Sequence, residues 1–307
     1  MIRTLSIGHA SYDIYVQMEG MPKENSKERF INKIACGGGN AANVAYLLGK
    51  WGVSSTFAGV VGNDVFGNRI KKEFESVGVD TRYIETSYDK DTTISFVMVN
   101  STNGNRTLLN VADEYVKLKH FDFDFQPNLI VVDGHDTYAS KETIERFPKA
   151  ITIMDAERYV TDIVDLAKRC QYMICSKDFA EEATGIKIDY NNSATLVNLY
   201  DDLRKKFDHQ NIIVTLEDKG AIYQINNQVK ISPALMVKAV DTTGAGDIFH
   251  GAFAYAIASG SDVEKAVKFG NIAAGLSVQS IGARLSIPSL DEVNKIYEKS
   301  LSWSFYI

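Results

Sequence analysis

Val240-Asp241-Thr242-Thr243-Gly244-Ala245-Gly246-Asp247 runs without a break into Ile248-Phe249-His250-Gly251-Ala252-Phe253-Ala254-Tyr255-Ala256-Ile257-Ala258. The second half is small, apolar and free of proline, which predicts a buried helix with Gly244-Ala245-Gly246 at its N-terminal end. A helix start with almost no side chains leaves backbone N–H groups open to an anion, and the helix dipole adds attraction. Asp247 falls in the first turn, where two roles are open to it. It can complement the dipole as an ordinary first-turn carboxylate. It can also take a proton from a hydroxyl that attacks a phosphoryl group held by the neighbouring amides.

A second glycine-led helix start lies upstream, at Gly37-Gly38-Gly39-Asn40-Ala41-Ala42-Asn43-Val44-Ala45-Tyr46-Leu47-Leu48-Gly49-Lys50-Trp51-Gly52. Its Ala, Val and Leu positions form an apolar face, and Asn43 comes one turn in. The spacing excludes two familiar phosphate motifs. Gly49-Lys50 is followed by Trp51 rather than Ser or Thr, and no Gly-x-Gly-x-x-Gly follows a strand. On these residues alone the segment is a glycine-started core helix with Asn43 facing solvent.

Short apolar runs alternate with helical patterns over most of the chain, from residues 2 to 8, through Val53 to Gly62 and Leu129-Ile130-Val131-Val132, to Ile212-Ile213-Val214. That alternation predicts a three-layer α/β fold with a mostly parallel sheet. Asp13 follows the first strand at its C-terminal end, where ligands of open α/β sheets bind; a turn-capping role is the local alternative. Asp133 and His135 follow another strand in the same way. Residues 12–34 and 92–111 alternate as short strands around turns, which predicts a small antiparallel layer.

The two glycine-led stretches resemble the N-terminal and C-terminal signatures of the PfkB/ribokinase family of carbohydrate kinases, in the right order and across nearly the whole chain. The resemblance implies a single ribokinase-like domain over residues 1–307, with the small β layer as a lid. It implies ATP-dependent phosphorylation of a small sugar, with Asp247 as base and the amides of Gly244, Ala245 and Gly246 holding the transferring phosphoryl group. Asp13, Gly38, Gly39 and Asn43 would contact sugar hydroxyls. Arg106 would reach the phosphate, or else stay in solvent. Thr215, Gly220 and Asn271 would contact the nucleotide. Asp241, Thr243, Ser277, Ser280, Gly282 and Ser286 fall where many members hold a monovalent cation, and element-end caps are the ordinary alternative. ATP and Mg2+ are the implied cofactors, with K+ for that cation loop, and the lid implies a homodimer.

Two departures bear on substrate and metal. Ribokinases carry Asn-x-x-Glu where this chain has Ser176 and Phe179, which leaves Glu181 as a metal-side carboxylate, and Glu217 replaces a glycine beside the nucleotide. The Gly104-Asn105-Arg106-Thr107 turn and Ser176-Lys177-Asp178 resemble ketohexokinases. Gly282-Ala283-Arg284 with Ile287-Pro288 resembles 6-deoxy-6-sulfofructose kinases. A ketose or modified ketose is therefore the expected substrate, with fructosamine, ribose and nucleosides behind it. The rival from another class is a non-catalytic sugar sensor on the same fold.

Composition narrows the partners. The 307 residues are 45% hydrophobic and 23% charged, with a net charge of −6. With no Lys/Arg run, these values argue against nucleic acid or an anionic membrane surface. No segment approaches the ~20 apolar residues of a membrane span, and a cytoplasmic enzyme is expected. Cys36, Cys170 and Cys175 lack metal or redox spacing, which predicts free, buried thiols.

Overall fold

A computed structural model describes residues 2–110, 115–157, 159, 161–208 and 211–302. The chain opens with β1 (Arg3–Ile7), β2 (Ser11–Met18) and β3 (Asn32–Gly38), then α1 (Asn40–Lys50), β4 (Ser54–Gly62), α2 (Val65–Ser76) and β5 (Ile84–Ser87). Next come β6 (Ile94–Asn100), β7 (Arg106–Asn110), β8 (Leu129–Val132), α3 (Thr137–Arg146), β9 (Ile151–Ala156), α4 (Thr161–Arg169) and β10 (Tyr172–Ser176). The C-terminal part holds α5 (Lys177–Thr184), α6 (Ser193–Phe207), β11 (Ile212–Thr215), β12 (Ala221–Ile225), β13 (Gln228–Ser232), α7 (Ala245–Ala258), α8 (Val263–Ser277) and α9 (Leu290–Ser302).

Nine strands form the main sheet in the order β13-β12-β11-β10-β9-β8-β1-β4-β5. Every pairing from β11 to β5 is parallel, and β12 and β13 add an antiparallel edge. Helices cover both faces, so the central strands read as unbroken apolar runs. In β8 the period of two divides one run between the two faces. Ile130 and Val132 pack with α3, α4, α5 and α6, while Leu129 and Val131 pack with α1, α7, α8 and α9.

The second sheet has the order β3-β2-β6-β7. It is mixed rather than wholly antiparallel, because β2 and β6 run side by side in the same direction, from Tyr12 opposite Ile94 to Met18 opposite Asn100. β6 and β7 lie within the stretches read from sequence as the lid, but β2 begins one residue before them and β3 runs past residue 34 to Gly38, into the glycine run read as a helix start; Val111, the last residue of that reading, lies outside the described residues. Three aromatic or aliphatic side chains of β6 and β7, Phe96, Leu108 and Leu109, stand exposed. Cys36, Cys170 and Cys175 are free and buried.

Candidate active site

Polar side chains gather at the carboxyl edge of the parallel strands, where the βα connections leave a crevice. Asp13, on β2, is 7% exposed. Its carboxylate accepts from Ser11 Oγ at 2.8 Å and from Tyr15 Oη at 3.3 Å. Burial raises its pKa against those bonds and against the charge of Arg284. Gly38 ends β3 directly beside it, and a Cβ there would fall 2.1 Å from Asp13 Oδ2. Tyr15 Oη in turn accepts from the Ala283 N–H at 3.2 Å, joining β2 to the loop after α8.

The two glycine-led helices meet across the crevice. Gly244 takes a φ of 74° at the N-cap of α7, no side chain caps that end, and the Cβ position of Gly246 has open space in front of it. The amides there are presented to any incoming anion. Asn43, 3% exposed, is not the solvent-facing residue its local sequence suggests. Its Nδ2 donates to Asp247 Oδ2 at 2.7 Å, and its Oδ1 accepts from Arg284 Nε at 3.1 Å. Burial, then the nearby charge of Asp155, pushes the Asp247 carboxyl up to about 7 against the Asn43 hydrogen bond.

Behind Asp247 lies a pair that the sequence did not single out. His250, the next turn of α7, has Nδ1 2.7 Å from the Gly246 carbonyl oxygen. A carbonyl only accepts, so Nδ1 carries a proton. Its Nε2 faces Asp155 Oδ1 at 3.3 Å, and Asp155, at the end of β9, also accepts from Asn40 Nδ2 at 3.2 Å. Burial disfavours both charges, lowering His250 and, with the nearby charge of Glu157, pushing Asp155 up to about 8. The signal available for Asp155 was its place at the carboxyl end of an apolar strand, the same signal that drew attention to Asp133.

Asp133 does not face the crevice. Its oxygens accept from the backbone N–H groups of His9, Ala41 and His135, at 2.8, 3.3 and 3.0 Å, and it tethers three segments. His135 Nδ1 lies 3.2 Å from it. Burial works against the imidazolium, but the Asp133 carboxylate outweighs it and raises His135 to about 9. His135 stacks on His9 at 4.8 Å.

The remaining sequence candidates divide. Arg106 is exposed and donates through Nη1 to Thr242 Oγ1 at 2.8 Å, bringing the β6–β7 hairpin against the loop that leads into α7. Asp241 accepts from the Thr243 N–H and Oγ1, at 2.9 and 2.6 Å, and from the Gly282 N–H at 2.9 Å. Ser277 and Ser286 instead donate to carbonyls of their own turns, Ala274 and Ala283, and Ser280 is exposed. Thr215 Oγ1 donates to the Cys175 carbonyl at 3.3 Å, and Gly220 closes the turn from β11 to β12. Asn271 is buried with Nδ2 engaged by Ser232 O, Ser232 Oγ and Pro233 O, so it fastens α8 to the end of β13. Glu217 points outward from a three-residue turn. Glu181 accepts from Lys187 Nζ at 2.7 Å and the Ile188 N–H at 2.9 Å. Among the described residues no group of three or more His, Cys, Asp or Glu could hold a metal ion. A magnesium ion would therefore be held chiefly by nucleotide phosphates and water, its usual habit.

Comparison with known proteins agrees with this architecture. A family model described as pfkB family carbohydrate kinase matches residues 1–290. The deoxyribokinase of Salmonella typhi is 28% identical over 306 residues, covering 94% of this chain and 96% of the relative. An ATP-dependent ribose-1-phosphate kinase of Halopiger xanaduensis is 28% identical over 298 residues, covering 95% and 97%. The structure of Arabidopsis thaliana ribokinase complexed with ribose and ATP superposes with a TM-score of 0.76 at 22% identity, over 97% of this chain and 99% of that one.

Proposed function

Because the chain belongs to the pfkB family of carbohydrate kinases, which are ATP-dependent, we propose that it transfers a phosphoryl group from ATP to the exocyclic hydroxymethyl oxygen of a small furanose sugar, with Asp247 as base. The observation that carries this reading is a buried carboxylate in the first turn of a helix that no side chain caps, held by Asn43. The sugar lies between Asp13 and Asp247, with Asp13 accepting from ring hydroxyls beside Gly38 and Gly39. Asp247 takes the hydroxymethyl proton. The Gly244–Gly246 amides hold the charge that develops on the transferred group, a role that backbone dipoles fill without reorganising. Magnesium, when bound, neutralises phosphate charge. Arg106, on the hairpin beside Thr242, adds a guanidinium as the lid closes.

For the sugar itself we favour a ketose in its furanose form, on the Gly104–Thr107 turn and the Ser176 segment. Ribose or 2-deoxyribose is the second reading, supported by the names of the relatives. All three share a five-membered ring with an exocyclic hydroxymethyl group. The Asp241, Thr243 and Gly282 cluster is where K+ would act, and a cytoplasmic setting supplies ATP. The exposed Phe96 and Leu109, which pair across β6 and β7 on one face of the small sheet, support pairing of two copies through that face.

The test is ADP release with Mg2+, with and without K+, against fructose, 6-deoxy-6-sulfofructose, ribose, 2-deoxyribose, ribose 1-phosphate and adenosine. A strong response to a fructose-type sugar supports the ketose reading. A preference for ribose or 2-deoxyribose overturns it in favour of the second, and silence throughout, with ATP still bound, overturns both.

A further inference from the structure

Arg284 is the largest of the side chains less than 2% exposed, a cation sealed inside the protein. Its guanidinium lies 4.6 Å from the ring centre of Phe74 and 5.1 Å from that of Tyr46. Nη1 donates to Glu73 Oε2 at 2.9 Å, and the same oxygen accepts from the Gly37 N–H at 2.8 Å. Nη2 lies 3.5 Å from the Gly38 carbonyl oxygen. The glycine at 37 makes room for it, since a Cβ there would sit 2.0 Å from Nη1. A charge buried this deeply carries a desolvation cost that a single ion pair rarely offsets. Glu73, its ionic partner, has a side chain still 26% exposed.

A third donor, Nε–H, points at Asn43 Oδ1. A guanidinium has five donors and no acceptor. Whatever sits on Nε must therefore be an acceptor, which for the Asn43 amide is its oxygen, and that gives the amide one allowed orientation, with Nδ2 toward Asp247. A rotated amide would set an oxygen against the Asp247 carboxylate and hold it only when protonated.

We propose that Arg284 is a positioning residue, which fixes the Asn43 amide so that an N–H always faces Asp247 and the carboxylate is kept in its proton-accepting form. The catalytic meaning rests on the reading of Asp247 as base. The groups facing Asp247 are Asn43 from α1, His250 from α7, Asp155 from β9 and Glu157 just beyond it. Both acids oppose ionisation, so the Asn43 donor is the contact that favours it from across the crevice.

The experiment compares Arg284→Gln, whose amide can accept as well as donate, with Arg284→Lys, which can only donate. The Asp247 carboxyl is titrated by 13C NMR in ligand-free protein, with Asp247→Asn to assign its signal. The expected result is a midpoint raised by about one pH unit in Arg284→Gln, the size of shift a lost favourable neighbour gives. Arg284→Lys should leave it near the parental value. Turnover of Arg284→Gln with the sugar that responds in the panel should drop about fivefold at pH 7, as the ionised fraction falls from about one half to about one tenth, and recover at pH 9. An unmoved midpoint in Arg284→Gln, an equal shift in both variants, or an equal turnover loss at both pH values would overturn the proposal. Should Arg284→Gln fail to fold, the parental protein still decides. The Asn43 side-chain N–H signals must move with the Asp247 titration, and a signal indifferent to pH between 5 and 9 removes the link. The carboxyl titration needs no substrate, so its failure is separate from that of the base assignment, which falls if Asp247→Asn retains turnover.

Discussion

Replacing Asp247 by Asn should remove catalysis and at the same time make the fold more stable. The ordinary carboxylate value is 3.8, and burial followed by the charge of Asp155 lifts Asp247 to about 7. An acid whose pKa is higher in the folded state takes up a proton on folding in between. Its contribution is therefore favourable below the unfolded value and is lost as pH rises through the folded one. At 1.36 kcal/mol for each pH unit, the gap is worth about 4 kcal/mol once pH exceeds 7. The amide carries no charge at any of these pH values, and its oxygen can still accept from Asn43 Nδ2. The variant should gain roughly 2–4 kcal/mol at pH 8, or a rise of roughly 4–8 °C in Tm at about 2 °C per kcal/mol for a chain of this size. Near pH 4 the advantage should vanish. Scanning calorimetry of both proteins from pH 4 to 8.5 reads this difference directly. The same variant should lose roughly 10²–10⁴-fold in kcat, the usual worth of a general base. A variant less stable than the parent at pH 8, or a stability difference flat with pH, would refute the idea that this carboxylate is held ionised against its surroundings.

Two further outcomes follow from the site. The value of kcat/KM for the sugar should fall about tenfold per pH unit below about 7, because the free enzyme must present Asp247 deprotonated; a profile flat down to pH 5.5 would contradict that. Gly38→Ala places a methyl group 2.1 Å from Asp13 Oδ2. At about 1–3 kcal/mol for a forced close contact, KM for the sugar should rise roughly 5–150-fold while KM for ATP stays within twofold, and an unchanged sugar KM would show that Asp13 does not receive the sugar there.

What could be read from sequence was what is contiguous. The helix start at Gly244–Gly246 and its Asp247 are one uninterrupted stretch, and so is the glycine run before Asn43. The unbroken apolar run of β8 likewise announces a strand covered on both faces. The burial of Arg284 was illegible, because it depends on Tyr46, Phe74 and Glu73, which come from α1 and α2 far upstream. An arginine in a Gly-Ala-Arg-Leu-Ser loop has no local mark of being interior. Asn43 was misplaced into solvent on local grounds for the same reason, since its partner at position 247 is 204 residues away. The partner of Glu181 is nearby in sequence and still had no local mark, since Lys187 follows it by six residues across the end of α5.

That separation of 204 residues also sets the order in which the protein can come into being on the ribosome. The first strand takes its place between β4 and β8, so one side of it can be matched early and the other only after residue 129 has been made. Helix α1 must wait longer still, because it packs on α7, where Leu47 fills the space left by the bare backbone of Gly251. Non-local closures of this kind are slow and leave apolar surface uncovered in the meantime. Until α7 has been made the growing chain carries an unsealed α1 face, and the contact between Asn43 and Asp247 cannot form before then.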